Sequence, residues 1–325
     1  MRHYLAFARP FTLLAPMLGV VSGGLTAWGS RYSYRGSHSF GWDEIALLSI
    51  AAVAAALLNA ASNGINQIYD LEIDRINKPE RPLVKGEISR RGAFWFTALL
   101  YVGSVLVTWV VVPDPDLGWG ERITAPLWRH ECFFFYLAAA IFTLVYSVPA
   151  LGRTKRMTLG ANLTIAIPRG LMLKVAGWSV LASVGHWEPW FIGSTFFLFL
   201  LGGASTKDFS DLEGDRKGGC MTLPNRYGIR AAAYMIAPCF VLPWLLIPLG
   251  LVLLDPSGLP ILSGDPRLLV LFAITLVTWG GYTVYLILRD PDALGNTENH
   301  PSWTHMYLMM FWAQIGFALA YLIRL

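Results

Sequence analysis

The sequence predicts an all-α membrane protein that crosses the bilayer several times, and three observations support this fold class. Hydrophobic residues make up 55% of the 325-residue chain and charged residues only 14%, whereas a soluble domain carries about 25% charged residues. The mean hydropathy is +0.49. Nine apolar segments have about the 20 residues that a transmembrane helix needs, namely residues 11–29, 43–69, 92–112, 131–149, 158–183, 189–206, 229–254, 266–288 and 303–323.

Three of these segments carry features that qualify the assignment. The first follows Arg2, His3 and Arg9 like the apolar part of a signal peptide, but the same pattern recurs downstream, which favours a retained span. The seventh contains several prolines, which membrane helices tolerate. The fifth contains Arg169 and Lys174. Because an ionisable side chain inside a span is costly, these two residues favour a functional or pairing role.

The basic residues indicate the orientation of the chain. An odd number of spans places the two termini on opposite sides of the membrane. Most Lys and Arg residues outside the spans lie in the N-terminal segment and in the loops after spans 2, 4, 6 and 8. Since basic loops stay on the cytoplasmic side, we expect a multi-pass protein of the cell (inner or plasma) membrane, with its N-terminus and these loops in the cytoplasm.

Composition excludes several other classes of protein. The net charge of +4 is small and spread over the loops, so it does not suggest nucleic acid as a partner. Cys132, Cys220 and Cys239 are scattered without a CxxC pair, which predicts neither a disulfide framework nor a zinc site. No separate soluble segment is visible, so residues 1–325 are expected to form one domain. The pattern leaves the oligomeric state open.

Two acidic clusters end spans on the predicted cytoplasmic side. In the first, Asn66, Asp70 and Asp74 are spaced i, i+4 and i+8. The second follows span 6, and its three aspartates are spaced i, i+3 and i+7, at Asp208, Asp211 and Asp215. Each set would lie on one face of a helix, where like charges repel. A single aspartate at a helix end is commonly a solvated cap, but two such clusters favour a shared cation site.

Magnesium is the cation that these ligands favour, because it prefers hard oxygen donors and usually takes one or two carboxylates together with substrate phosphate oxygens. Two facing acidic helices could hold two Mg²⁺ ions that bridge a diphosphate. Basic residues in the adjoining loops could neutralise the remaining charge, although each could also serve only as a topology signal. These residues are Arg81, Lys85, Arg153, Lys155, Arg156 and Lys207.

A diphosphate held above an aromatic-rich helical bundle fits an isoprenyl diphosphate substrate. We therefore expect ionisation of an allylic diphosphate, a carbocation held in a dry aromatic pocket, and attack by a lipophilic or aromatic acceptor. Arg169, between Pro168 and Gly170, marks a helix break that could line this cavity. Tyr146 and Ser147 end span 4 and could face the pocket or belong to the interfacial belt.

The same motifs resemble those of the UbiA superfamily of intramembrane prenyltransferases. The resemblance covers essentially the whole chain and rests on both acidic clusters, on Asn-Lys-Pro-Glu-Arg-Pro at 77–82, on Tyr146-Ser147, on Glu213-Gly214-Asp215 and on Arg9-Pro10-Phe-Thr12. It implies a helical bundle around a central cavity, a cytoplasmic cap and Mg²⁺-dependent prenyl transfer. It also implies that the six cluster residues hold metal and diphosphate, that Lys155-Arg156 contacts the diphosphate, and that Tyr146 lies near the reacting end of the prenyl chain.

The resemblance leaves the acceptor open. Asn66-Gln67 at the start of the first motif is similar to the homogentisate prenyltransferase branch, whereas the second motif and its Thr222-Leu-Pro resemble the chlorophyll synthase and archaeal ether-lipid branches. An aromatic acceptor is slightly preferred over a glycerophosphate or chlorin acceptor. A glycerophosphate would need a further anion site, for which Arg169 or Lys174 is available. A terpene cyclase on the same scaffold and a non-enzymatic transporter are the other classes that the sequence allows.

Overall fold

The computed structural model describes residues 2–33, 39–297 and 300–324, and these residues form an all-helical structure. Extended pairing in the described part is limited to the bridge between Leu254 and Pro260. The α-helices are α1 (Arg2–Ala8), α2 (Leu14–Gly29), α3 (Trp42–Tyr69), α4 (Leu71–Asn77), α5 (Arg90–Leu106), α6 (Trp119–Ile123), α7 (Glu131–Ser147), α8 (Thr158–Ala166), α9 (Leu173–Trp178), α10 (Trp187–Gly203), α11 (Leu212–Lys217), α12 (Leu223–Tyr227), α13 (Ile229–Ile236), α14 (Leu246–Gly250), α15 (Pro266–Leu288), α16 (Ala293–Asn296) and α17 (Pro301–Leu322).

Seven helical stretches in the described part are long and apolar enough to cross a membrane. They are Pro10–Gly29, Trp42–Tyr69, Arg90–Val110, Trp187–Lys207, Ile229–Gly250, Pro266–Leu288 and Pro301–Leu322. The other two predicted spans correspond to the 17-residue apolar helix α7 and to a helical run from α8 to α9 that a π-helical segment, Ile167–Met172, interrupts. The multi-pass fold is therefore confirmed, and the count of nine spans stays a prediction, as does the cytoplasmic cap.

Small residues allow the helices of the bundle to approach closely, as is common in membrane proteins. A methyl group added at Gly177 of α9 would lie 2.5 Å from the carbonyl oxygen of Val20 in α2, and one at Gly23 would lie 2.7 Å from that of Lys174. The backbones of α2 and α9 are therefore in direct contact. This contact fixes the interrupted fifth span against the first.

Lys174 is buried in this core, with 2% of its surface exposed. Its ammonium group donates to Ser22 Oγ at 2.6 Å and to Gln314 Oε1 at 3.1 Å. The rings of Phe196 and Phe317 lie 5.3 and 5.4 Å away, within range of a cation–π contact. The prediction of a pairing role for this residue is consistent with these contacts, which lie within the packed bundle.

The two acidic clusters lie on the same face of the bundle. Helix α4, which follows α3, packs against α11, which follows α10. Asn77 at the end of α4 joins them, because its side chain donates to the carbonyl oxygen of Asp211 at 3.2 Å and accepts from the N–H of Gly214 at 3.1 Å. The fold thus brings together two motifs that are far apart in the sequence.

Candidate active site

The first motif is built around a bend at Asp70. The N–H groups of Asp70 and Asp74 each donate to the carbonyl oxygen four residues earlier, at 2.8 Å. Asp70 itself adopts φ −99° and ψ 16°, so α3 ends there and α4 begins at the next residue. The single continuous helical face expected for Asn66, Asp70 and Asp74 is therefore wrong, and the bend instead places α4 beside α11.

The Asp70 carboxylate is held by two cations from the loop between α7 and α8. One oxygen accepts from Arg153 Nη2 at 2.8 Å, and the other accepts from Lys155 Nζ. Arg153 has φ 43° and follows Gly152, with φ 105°. These two left-handed residues form a tight turn, and the turn directs the basic side chains back towards the end of α3.

Lys155 also links the first motif to the second. Its ammonium nitrogen lies 3.8 Å from Asp215 Oδ1, so one cation is shared by Asp70 and Asp215. Asp208 precedes α11 and Asp211 occupies its N-cap position without a side-chain hydrogen bond to the helix, so the second cluster is also not one straight helical face. The convergence of the two clusters is the feature on which the sequence interpretation depends, and the geometry agrees with it.

Two further ion pairs enclose the acidic groups. Arg81 pairs with Asp74, and Lys78 Nζ lies 3.4 Å from Asp211 Oδ1. Lys78 and Asn77 were not assigned a role from the sequence, although both belong to the quoted Asn-Lys-Pro-Glu-Arg-Pro segment. Their position directly after the first acidic cluster, at the C-terminal end of α4, was the signal that could have identified them.

The acidic groups are held where their charged forms are unfavourable. Burial and the neighbouring carboxylates of Asp211 and Asp70 raise the pKa of Asp215 to about 6, even though Lys155 opposes this change. Burial and the carboxylates of Asp215 and Asp211 also raise the pKa of Asp208 well above its usual value. A nearby additional cation stabilises the charged form of such carboxylates.

Lys155 itself shows the opposite effect. Burial alone would lower its pKa, but the Asp70 carboxylate, the Tyr146 phenol and the Asp215 carboxylate raise it above the ordinary value for a lysine. The ammonium group therefore stays charged in this site. Tyr146 of α7 therefore lies beside the cluster, and its place near the reacting end of a prenyl chain stays a prediction.

The residues present are suited to magnesium. No three Cys, His, Asp or Glu side chains in the described ranges are close enough to form a metal cage by themselves. Mg²⁺ rarely needs one, because it usually combines one or two carboxylates with water and phosphate oxygens. The available donors are hard oxygens. Asn66 Oδ1 is buried without a hydrogen-bond partner, as is expected of an oxygen that binds a cation.

The remaining predicted site residues are divided between the cluster and its surroundings. Ser147 is buried, and its Oγ has no hydrogen-bond partner. The Lys207 ammonium lies 5.8 Å from the centre of the Trp303 ring. Lys85 and Arg156 are exposed, and no ion pair in the described part joins either one to the acidic residues. A role for these two in binding diphosphate stays a prediction.

An apolar cavity of about 520 Å³, its open mouth included, lies between α2, α3, α7 and the π-helical segment. Arg169 lines it, together with Ser62 and Thr143, which lie one helical turn from Asn66 and Ser147 respectively. The cavity therefore begins about one helical turn from Asn66 on α3 and from Ser147 on α7. This is the position that the sequence interpretation gave to Arg169.

Arg9 interacts electrostatically with two other arginines, of which Arg169 lines the cavity. Burial, followed by the positive charges of Arg81 and Arg169, lowers the pKa of Arg9. Arg9 also has φ 58°, a left-handed conformation that is uncommon outside glycine. The sequence interpretation quoted Arg9 only as part of a motif, and its proximity to Arg169 follows from the fold.

Comparison with known proteins places the chain in a family. Residues 22–315 match the UbiA prenyltransferase family, so the protein belongs to it and the resemblance drawn from the motifs is confirmed. The chain is 32% identical over 235 residues to homogentisate solanesyltransferase of Arabidopsis thaliana chloroplasts, a match that covers 70% of this chain and 55% of the plant protein. The chain thus spans little more than half the length of that relative.

A second relative matches over the full length. Digeranylgeranylglyceryl phosphate synthase of Thermococcus kodakarensis is 26% identical over 325 residues, which is 99% of both chains. Among solved structures, a UbiA homolog from Archaeoglobus fulgidus superposes with a TM-score of 0.69 at 19% identity, covering 99% of this chain and 100% of that one. A structure of a UbiA homolog from the same organism bound to GPP and Mg²⁺ gives 0.66 at 19% identity, with 97% and 99% covered. These similarities show a common fold.

Proposed function

We propose that the protein transfers an isoprenyl group from an allylic prenyl diphosphate to an acceptor within the membrane. The observation that carries this proposal is the Lys155 ammonium group shared by Asp70 and Asp215, in a cluster whose Asn66 lies one helical turn from Ser62 in the lining of an apolar cavity. Positive charge that can bind a diphosphate therefore lies close to an apolar space that can hold the prenyl chain. The solved UbiA homolog with GPP and Mg²⁺ supports the same assignment.

The basic side chains would bind and orient the diphosphate. Arg153 and Lys155 hold Asp70, and both can exchange this carboxylate for phosphate oxygens once a metal ion occupies the acidic cluster. Asn66, Asp70, Asp74, Asp208, Asp211 and Asp215 would hold the metal, which we propose to be two Mg²⁺ ions. When bound, Mg²⁺ supplies Lewis-acid neutralisation of the charge on the departing pyrophosphate.

The cavity would protect the reactive carbon. Breaking the bond between C1 and oxygen releases pyrophosphate and leaves an allylic cation, which needs a dry, aromatic environment. Phe135 and Tyr136 line the cavity among aliphatic neighbours. The acceptor then forms a bond to C1 and loses a proton, so that transfer is complete and the site returns to its starting charge.

The acceptor is proposed to be aromatic, as in the relative named homogentisate solanesyltransferase. A glycerophosphate is the second candidate, because the full-length relative is named for a glyceryl phosphate product. The guanidinium group of Arg169, which lines the cavity, favours an acceptor that carries an anionic group. A carboxylate and a phosphate both satisfy this requirement.

The test uses the purified full chain in lipid nanodiscs. Farnesyl or geranylgeranyl diphosphate is supplied with Mg²⁺ and with homogentisate, glycerol phosphate or a chlorin, and prenylated product and pyrophosphate are measured. We expect product with at least one acceptor, and loss of product on chelation by EDTA, in Asp70→Ala and in Asp208→Ala. Glu213→Ala is the matched control, since Glu213 is exposed and pairs with Lys217 across one helical turn.

Other outcomes would contradict the proposal. Wild-type rates from folded Asp70→Ala protein would show that the acidic clusters do not carry the reaction. Pyrophosphate release with a cyclised hydrocarbon and no acceptor adduct would indicate a terpene cyclase. Binding of prenyl diphosphate without any pyrophosphate release would favour a transporter.

We also propose the plasma or inner membrane as the location, with the acidic face in the cytoplasm. The support is the positive-inside distribution of Lys and Arg in the loops beside both clusters. A cysteine introduced in place of exposed Lys85 should react with a membrane-impermeant maleimide only in inverted vesicles. Reaction in right-side-out vesicles would reverse the orientation.

A further inference from the structure

A groove opens on the surface of the bundle where the end of α3 meets the start of α5. Its volume is about 840 Å³ with the open mouth included. Its lining combines apolar and basic side chains, namely Ile68, Tyr69, Arg90, Arg91, Phe94 and Trp95. The rings of Phe94 and Trp95 make an edge-to-face contact, with centroids 5.7 Å apart. An exposed Trp beside basic residues at the end of a span is typical of the membrane interface, so the groove lies where lipid headgroups are expected.

The two arginines of the groove lie where positive charge is unfavourable. Arg90 and Arg91 are the first two residues of α5, and both are exposed. The N-terminus of a helix carries a partial positive charge, and its first N–H groups have no partner within the helix. The preceding acidic residue, Glu87, contacts His3 at 2.9 Å, and no ion pair among the described residues involves Arg90 or Arg91. The start of α5 is therefore a site of uncompensated positive charge.

Another helix shows how the protein balances such a charge with its own residues. Arg230 is the second residue of α13, as Arg91 is the second residue of α5, and both side chains are exposed. The guanidinium group of Arg230 pairs with Asp292 at 2.7 Å. Arg91 has no such carboxylate in the described part of the chain. An anion that balances the start of α5 would therefore have to come from outside the protein.

A stripe of exposed apolar side chains leads from the arginines into the membrane. Arg91, Trp95 and Leu99 are spaced four residues apart and lie on one face of α5, and Val102 and Leu106 continue this face. The four apolar side chains are 57–71% exposed. The rise from Trp95 to Leu106 is about 16 Å, close to half of a hydrocarbon core of about 30 Å. An acyl chain of one leaflet can therefore lie along this stripe while its headgroup lies at Arg91.

We propose that the groove between α3 and α5 binds one anionic phospholipid, whose phosphate oxygens accept hydrogen bonds from Arg90 and Arg91 and whose acyl chain packs along the exposed face of α5. Arginine suits this ligand because its guanidinium group can bind phosphate through two parallel hydrogen bonds. The lipid would also contact the end of α3, since Tyr69 lines the groove and its carbonyl oxygen accepts from Arg153 at 3.2 Å. The inference does not depend on the proposed prenyl transfer.

The experiment titrates the purified full chain in detergent with phosphatidylglycerol or phosphatidylcholine, and native mass spectrometry measures the lipid bound. We expect the wild type to bind phosphatidylglycerol more tightly than phosphatidylcholine. A basic residue near an anionic lipid surface changes affinity about fivefold, so phosphatidylglycerol should bind about fivefold more weakly to Arg91→Gln and about thirtyfold more weakly to the double variant Arg90→Gln, Arg91→Gln. Arg230→Gln is the matched control and should bind as the wild type does, because Arg230 has the same helix position and exposure but already pairs with Asp292.

Several results would overturn the inference. These are equal affinity of the wild type for the two lipids, and unchanged affinity for phosphatidylglycerol in the folded double variant. An equal loss in Arg230→Gln would show general attraction by surface charge, and displacement of the lipid by an equal concentration of inorganic phosphate would show a site for free phosphate. Thermal unfolding shows whether each variant is folded, and the single variant Arg91→Gln decides the question if the double variant is not. No prenyl diphosphate is present in these measurements, so a failure here is distinct from a failure of the proposed function.

Discussion

Substitution of Lys155 by methionine gives the sharpest test of how the acidic clusters are held together. Lys155 contacts Asp70 and lies 3.8 Å from Asp215, and the three side chains are only 12%, 3% and 7% exposed. Removing one partner of a buried ion pair costs about 3–5 kcal/mol, since the other charge remains buried. Asp70 keeps its bond to Arg153, so we expect Lys155→Met to lower the free energy of unfolding by about 3 kcal/mol.

The assay is a urea titration in detergent micelles, without and with Mg²⁺. Magnesium should restore much of the lost stability in Lys155→Met, because a metal cation can replace the ammonium group between the carboxylates. Lys217→Met is the control, since its 2.7 Å contact with Glu213 is also a direct ion pair but is about two-thirds exposed, and exposed pairs contribute little to stability. A loss below about 1 kcal/mol in Lys155→Met, or no difference from the control, would refute the shared-cation arrangement.

Three further substitutions test other parts of the molecule. Gly214→Ala places a methyl group 2.4 Å from the side-chain amide of Asn77 and should break the two hydrogen bonds that this amide makes to the α11 backbone. We expect the free energy of unfolding to fall by about 1–3 kcal/mol in the same urea titration. A decrease below about 0.5 kcal/mol would contradict this. Arg169→Gln should raise KM for an anionic acceptor about tenfold, equivalent to about 1.4 kcal/mol, in steady-state kinetics, whereas an equal change in KM for the donor would place it at the diphosphate. Lys174→Met should lower the unfolding temperature and leave both KM values unchanged, because Lys174 contacts Ser22 and Gln314 in the core.

Sequence periodicity was sufficient for the fold class and for the identity of the acidic residues. In a bilayer, long apolar runs can form all their backbone hydrogen bonds only as helices or closed barrels. Few fold classes other than all-α were therefore possible. A single aspartate at the end of such a run is commonly a solvated cap, but two clusters of them favour a shared cation site. For the same reason, Asp70 and Asp215 could be expected to share one ligand before their distance was known.

Local geometry was the part that periodicity could not provide. The spacing of Asn66, Asp70 and Asp74 suits a straight helix, whereas α3 ends at Asp70 and the following helix α4 packs against α11. The roles of the basic residues were equally dependent on tertiary structure. Lys85 and Lys155 both lie in basic loops beside a cluster, yet Lys85 is exposed and Lys155 is held between two carboxylates by the left-handed turn at Gly152 and Arg153.

The ion pairs also suggest why the site is organised before any substrate arrives. Buried carboxylates left alone would repel one another or take up protons, and either change would disturb the ends of α3 and α10. Arg81, Arg153 and Lys155 prevent this by pairing with Asp74 and Asp70. Each pairing cation is also a group that a diphosphate needs. The oxygen donors of the acidic clusters would hold a metal ion, which would neutralise their charge. Arg81, Arg153 and Lys155 would then be available to phosphate oxygens, and the energetic cost of releasing them from the carboxylates would be low.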